Sequence, residues 1–182
     1  MTKCERIDIS KGHPNLKIVN CGCGWDIAKG GNQNVDLDIF AFLLSGGKLV
    51  DPKAVVYFNN LSYLSVSSSG DNLTGIGSGV DENIAVDLVN LPANVDEVII
   101  GVNIYEAASR RQNFGLVDNA FVQISDAEGT QDVLAKYDLT EDFSAFTGVL
   151  LGRLYRNNGE FKFQALGEGR SGSILDLVAA YR

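Results

Sequence analysis

Short apolar runs alternate with polar positions along most of the chain and are separated by Gly, Asn, Asp and Ser turns. That period-two pattern predicts strands at Leu16–Gly22, Leu37–Leu44, Ala54–Phe58, Ile84–Leu88, Glu97–Tyr105, Ala120–Ser125, Val133–Leu139, Thr147–Arg156 and Glu160–Leu166. Arg156-Asn157-Asn158-Gly159-Glu160 predicts a tight hairpin, because Asn-Gly supplies the positive φ that a primed turn needs. Ser45-Gly46-Gly47-Lys48 reads as another turn, and Ala107–Arg111 as a single helical turn. Only Ser173–Tyr181 has helical spacing, with Ile174, Leu175, Leu177, Val178 and Tyr181 apolar and Ser173 as N-cap. The pattern predicts a mainly β, two-sheet antiparallel β-sandwich with a short C-terminal helix, a single domain over residues 1–182.

Composition narrows the chemistry. The net charge of −8 and pI near 4.6 disfavour nucleic acid, since an acidic surface repels phosphates. No apolar run approaches the length of a membrane span, and MTKCERIDIS has no apolar h-region, so the expected compartment is the cytoplasm. Cys4, Cys21 and Cys23 make an odd count without a disulfide framework. Cys21 and Cys23 share a strand face and read as small buried hydrophobes. His13 has no ligand-spaced neighbour, and no nucleophile elbow is present. Gly167–Gly172 lacks the lysine of a phosphate loop and reads as the joint between the last strand and the helix.

The carboxylates fall at strand ends and in loops. Asp36 and Asp38 lead into Leu37–Leu44 and project from one face, the face of Phe40, Phe42 and Leu44. Their Cα atoms would lie roughly 6–7 Å apart. At an effective dielectric of about 20 the two charges repel by roughly 2 kcal/mol, and a cation between them reverses the sign. The alternative is that both face water. Glu106 continues the face of Val98, Ile100, Val102 and Ile104, unless the chain turns away at Tyr105. Asn59 and Asn60 follow one apolar run, and Asp26 follows Trp25. Gly70–Glu82 carries Asp71, Asn72, Gly77, Asp81 and Glu82 among glycines, with no lysine or arginine. It suits an oxygen cage for Ca²⁺, which takes about six to eight oxygen ligands, and it is also compatible with a solvated Gly/Ser loop. Gln112 is a further oxygen donor for such a shell.

Taken in order, these segments resemble the TerD family of tellurium-resistance and stress proteins. The resemblance rests on Gly22–Asp26, Val35–Asp38 with Ala41–Leu44, Tyr57–Asn60, Gly70–Asn72 with Thr74-Gly75, and Asp81-Glu82. Gln112–Gly115, Tyr137–Asp142 and Gly152–Arg156 continue it. It implies a C2-like sandwich without catalytic activity, holding one or two Ca²⁺ in loops at one end. Asp36, Asp38, Asn59, Asn60, Asp71, Asp81 and Glu82 fall on the family's acidic and amide positions. Ile76, Ser78 and Val80 stand where the family commonly has acids, which should weaken a site, and Glu106 stands where it often has Asp.

The resemblance makes a Ca²⁺-binding stress protein that works by recruitment the leading expectation. Its partners would be other tellurium-resistance or stress proteins, with the inner membrane face as one location for the complex. A Ca²⁺-dependent phospholipid binder would need apolar loop tips, which Leu73, Ile76 and Val80 supply, and basic residues, which are scarce there. A metal-free interaction module is the other alternative. A hydrolase built on paired carboxylates has no support beyond the acids themselves.

Overall fold

The computed structural model describes residues 4–27, 35–70, 80–128, 132–138 and 143–182. Its strands are β1 (Arg6–Asp8), β2 (Ile18–Ile27), β3 (Leu37–Ser45), β4 (Lys48–Leu49), β5 (Val55–Val56), β6 (Ser62–Tyr63), β7 (Val66–Ser68), β8 (Glu82–Asp87), β9 (Glu97–Ile104), β10 (Val117–Asp126), β11 (Val133–Asp138), β12 (Gly148–Asn157) and β13 (Glu160–Arg170). Helical turns are α1 (Ala107–Arg110) and α2 (Ile174–Val178). Among the described residues the strands form two sheets. The first runs β1-β13-β12-β9-β3-β4, with β5 also on β3, and the second runs β11-β10-β2-β8-β7-β6. All pairings are antiparallel, as the alternation predicts.

The main core lies between the sheets. Leu37, Ile39, Ala41 and Leu43 of β3 meet Cys21, Cys23 and Trp25 of β2 and Ile84 and Val86 of β8 there. The opposite face of β3 is buried too. Phe40, Phe42 and Leu44 pack with Ile99 and Leu150 beneath Ile174, Leu177 and Val178. α2 therefore covers the outer face of the first sheet, which explains why β3 carries apolar residues at both parities. Close approach is possible because Phe40 lies over Gly101, its register partner, where a Cβ would come within 2.8 Å of the Val149 carbonyl.

Ser173 caps α2 with a capping box, its hydroxyl accepting from Asp176 N and the Asp176 carboxylate accepting from Ser173 N at 2.8 Å. The predicted helix shortens to Ile174–Val178, followed by a 3-10 turn at Ala179–Tyr181. The expected strand at Ala54–Phe58 shrinks to Val55–Val56, because Tyr57 and Asn60 already pair across a turn. β1, β4, β6 and β7 were not predicted. Each has only two or three residues, too few for a period to register.

Candidate functional site

β8 turns Glu82, Ile84 and Val86 into the core, so its first inward position is a carboxylate. Glu82 is only 2% exposed. Its Oε2 accepts from the backbone N of Ile39 at 2.9 Å. The ladder geometry explains why this amide needs an acceptor. Tyr105 N donates to Asp36 O and Asp38 faces Asn103, so the even-numbered residues of β3 bond to β9 and the odd-numbered amides face the other edge. There Leu43 N finds Ala54 O, but β5 pairs β3 only at Ala41 and Phe42. Among the described residues no strand pairs with this edge at Ile39, and the Glu82 side chain crosses from the second sheet to bond its amide.

Asp36 and Asp38 alternate with Val35, Leu37 and Ile39 and so occupy the outer face of β3. Both are buried, at 4% and 2% exposure. One oxygen of each, Asp36 Oδ1 and Asp38 Oδ2, is shielded from solvent, as is Gln112 Oε1. Gln112 is positioned by α1, its backbone N donating to Ala107 O at 2.8 Å. The peptide joining Asp38 to Ile39 thus carries one buried acid on its Cα and meets another through its N–H.

Asp81 and Trp25 brace this corner. Asp81 Oδ2 accepts from Trp25 N at 3.1 Å, and Asp81 N donates to Cys23 O. The Trp25 indole Nε1 donates to Val35 O at 3.2 Å, fixing the chain just before Asp36. Burial pushes the Cys23 thiol well above its ordinary range, and the charges of Glu82 and Asp81 raise it further. The two acids therefore project a negative field into this end of the core.

Of the other predicted ligands, Asn59 and Glu106 line one cavity with Asp38, whereas Asp26 and Asn60 are engaged elsewhere. Asp26 is exposed on the outer side of β2, its Oδ2 accepting from Asn119 Nδ2 at 2.8 Å. Asn60 directs its Nδ2 to the carbonyls of Lys53 and Val55, which closes its own turn. Asn59 is exposed. Glu106 does not continue the buried face of β9. The strand ends at Ile104, residue 106 takes a left-handed φ of 50°, and its carboxylate lies 3.6 Å from Arg110. Asp71, Asn72, Gly77 and the departures at Ile76 and Ser78 lie outside the described residues. Val80 packs against Gly22, leaving no room for a Cβ there. Among the described residues, no three His, Cys, Asp or Glu side chains form a metal-ligating group.

Asn103 was not singled out from the sequence. It is 4% exposed, and its Nδ2 donates to Thr147 O at 3.0 Å and Gly172 O at 2.8 Å, tying the approach to α2 onto the sheet beside Asp38. Its signal was a single amide inside the apolar run of β9.

Comparison with known proteins accounts for the whole described chain. The TerD domain family matches residues 1–181. General stress protein 16U of Bacillus subtilis (strain 168) is 44% identical over 185 aligned residues, covering 100% of this chain and 95% of that protein. Tellurium resistance protein TerD of Serratia marcescens is 42% identical over 184, with coverage of 100% and 95%. A crystal structure of a homologue of telluride resistance protein (TerD) from Streptomyces coelicolor A3(2) shares the fold, with a TM-score of 0.75 at 24% identity over 90% of this chain and 96% of that one.

Proposed function

The chain belongs to the TerD domain family, and we propose that it is a Ca²⁺-binding stress-response protein of the tellurium-resistance type that acts by presenting a surface and not by catalysis. The observation that carries this reading is the burial of three carboxylates, Asp36, Asp38 and Glu82, at the start of β3, with Glu82 Oε2 on the Ile39 N–H. A hard divalent cation suits donors of this type, namely carboxylate and amide oxygens, better than it suits thiols or imidazoles. The described acids do not by themselves form a three-carboxylate group, so Asp36, Asp38, Glu82 and Gln112 are candidate donors of which only some would reach one ion, and Asp71 and Asn72 are the further donors the reading calls on. When bound, the ion would neutralise the corner and order the acidic loops around it. A partner, expected among other tellurium-resistance or stress proteins, would then meet a charge-neutralised surface.

Thermal unfolding in EDTA, then in increasing Ca²⁺ or Mg²⁺, tests the metal. A ligand bound only by the folded state adds about 2.7 kcal/mol at a hundredfold excess over its Kd. A Ca²⁺-specific rise in Tm is expected. An unchanged Tm with a folded apo protein would leave a metal-free interaction module as the reading. The phospholipid alternative keeps Val80 as an apolar tip, since it stays 36% exposed although it packs on Gly22. Absence of Ca²⁺-dependent pelleting with anionic vesicles would remove it.

A further inference from the structure

Where α2 meets the ends of β5 and β9, the outer face of the first sheet opens into a cavity of about 650 Å³. Three aromatic rings form one wall. Tyr57 and Phe58 meet edge to face with centroids 5.2 Å apart, and Phe58 and Tyr105 do so at 5.5 Å. Successive perpendicular rings make the corner of an aromatic box. The charged side chains among the described lining residues are Asp38, Glu106 and Asp176, all acidic, and no lysine, arginine or histidine is among them.

We propose that this cavity binds a small organic cation, an alkyl- or arylammonium with an apolar body. Three features of the lining support that class. Ring faces attract a cation through their quadrupole. Arg110 already does this here, its guanidinium 5.0 Å from the Tyr105 centroid, while Glu106 pairs with it. Glu106 is paired with Arg110 and Asp176 accepts from Ser173, and the three acids against one arginine still leave the lining net negative, in a chain with a net charge of −8. Ile104, Ala107, Ile174 and Leu175 give the remaining wall an aliphatic character that suits a weakly hydrated cation better than a hydrated metal ion. The volume falls in the roughly 300–1,000 Å³ range of small-molecule sites, which suits a free small amine in place of a large ligand.

Asp38 is common to this cavity and to the proposed metal site, so the assignment is tested with EDTA present throughout, where a failure of the metal reading leaves it standing. Benzylammonium chloride is titrated into the ¹⁵N-labelled protein, with benzyl alcohol as the neutral comparison. Saturable shifts at Ala107, Ser109 and Gly172 are expected for the ammonium and not for the alcohol. Phe58→Leu should weaken binding by roughly tenfold, and Phe58→Tyr should restore it. Retention of a native-like spectrum by Phe58→Leu separates loss of the ring from loss of the fold. Equal shifts with benzyl alcohol, no saturable shift, or unchanged affinity in the folded Phe58→Leu protein would overturn the proposal. So would tighter binding of an Nα-acetyl-lysine amide than of benzylammonium, since the occupant would then be a protein side chain.

Discussion

The backbone N of Ile39 donates to Glu82 Oε2 at 2.9 Å, and this bond joins the two sheets. It makes Glu82 both a structural acceptor for an edge amide of β3 and a buried acid at the start of that strand. The two roles can be separated by substitution.

Glu82→Gln keeps an oxygen for Ile39 and removes the charge. In EDTA its Tm should equal or exceed that of the parent, because repulsion within the corner is relieved. Its Ca²⁺-induced rise should shrink. Glu82→Leu leaves the buried amide without an acceptor and should destabilise by about 1–3 kcal/mol. Urea unfolding of both variants in EDTA measures the difference.

Asp36→Asn combined with Asp38→Asn should abolish the Ca²⁺-dependent rise in Tm while the apo fold survives. Both side chains lie off the inter-sheet core, so removing their charge leaves that packing intact. Isothermal titration with Ca²⁺ checks this, and an unchanged affinity would place the ion elsewhere.

The thiols give a pH prediction. Burial raises Cys21 from 9.0 to about 12, and Cys23 also lies well above 9.0. Above pH 9 the unfolded chain releases these protons while the folded chain keeps them, so stability is full below that pH and falls as pH rises toward about 12. Cys21→Val should flatten the alkaline limb of Tm against pH. Under native conditions Ellman's reagent should react quickly with the exposed Cys4, and with Cys21 and Cys23 only after unfolding.

Gly101→Ala should destabilise by roughly 1–3 kcal/mol through overpacking, since its new methyl group would meet the Phe40 ring and the Val149 carbonyl. Chemical denaturation measures it. Coupling to Phe40→Leu in a double-mutant cycle should recover part of the loss, because the shorter side chain vacates the contact.

Ser173→Ala should cost about 1 kcal/mol by removing one half of the capping box on α2. Because α2 covers Phe40 and Phe42, the loss should appear in global unfolding and not only as local fraying.

Much of this molecule was legible along the chain. The unbroken apolar run Ile39–Leu44 marked a strand buried on both faces, the Asn158-Gly159 pair marked the β12–β13 turn, and Ser173 marked the start of α2. Motif order carried the family. These features are local, since side-chain period, turn chemistry and capping are set by residues within one or two turns of each other. The sequence could not say what covered each face of β3, because that depends on pairing with β8, β9 and α2 across long separations. Nor could it separate the acids. Asp26, Glu106, Asp38 and Glu82 all stand at strand ends, yet the first two are exposed and the last two are buried, Asp38 on the outer face of β3 and Glu82 on the Ile39 N–H. That sorting was decided by which edge of β3 lacked a strand at Ile39 among the described residues, and by a left-handed turn at Glu106, neither of which has a period to read.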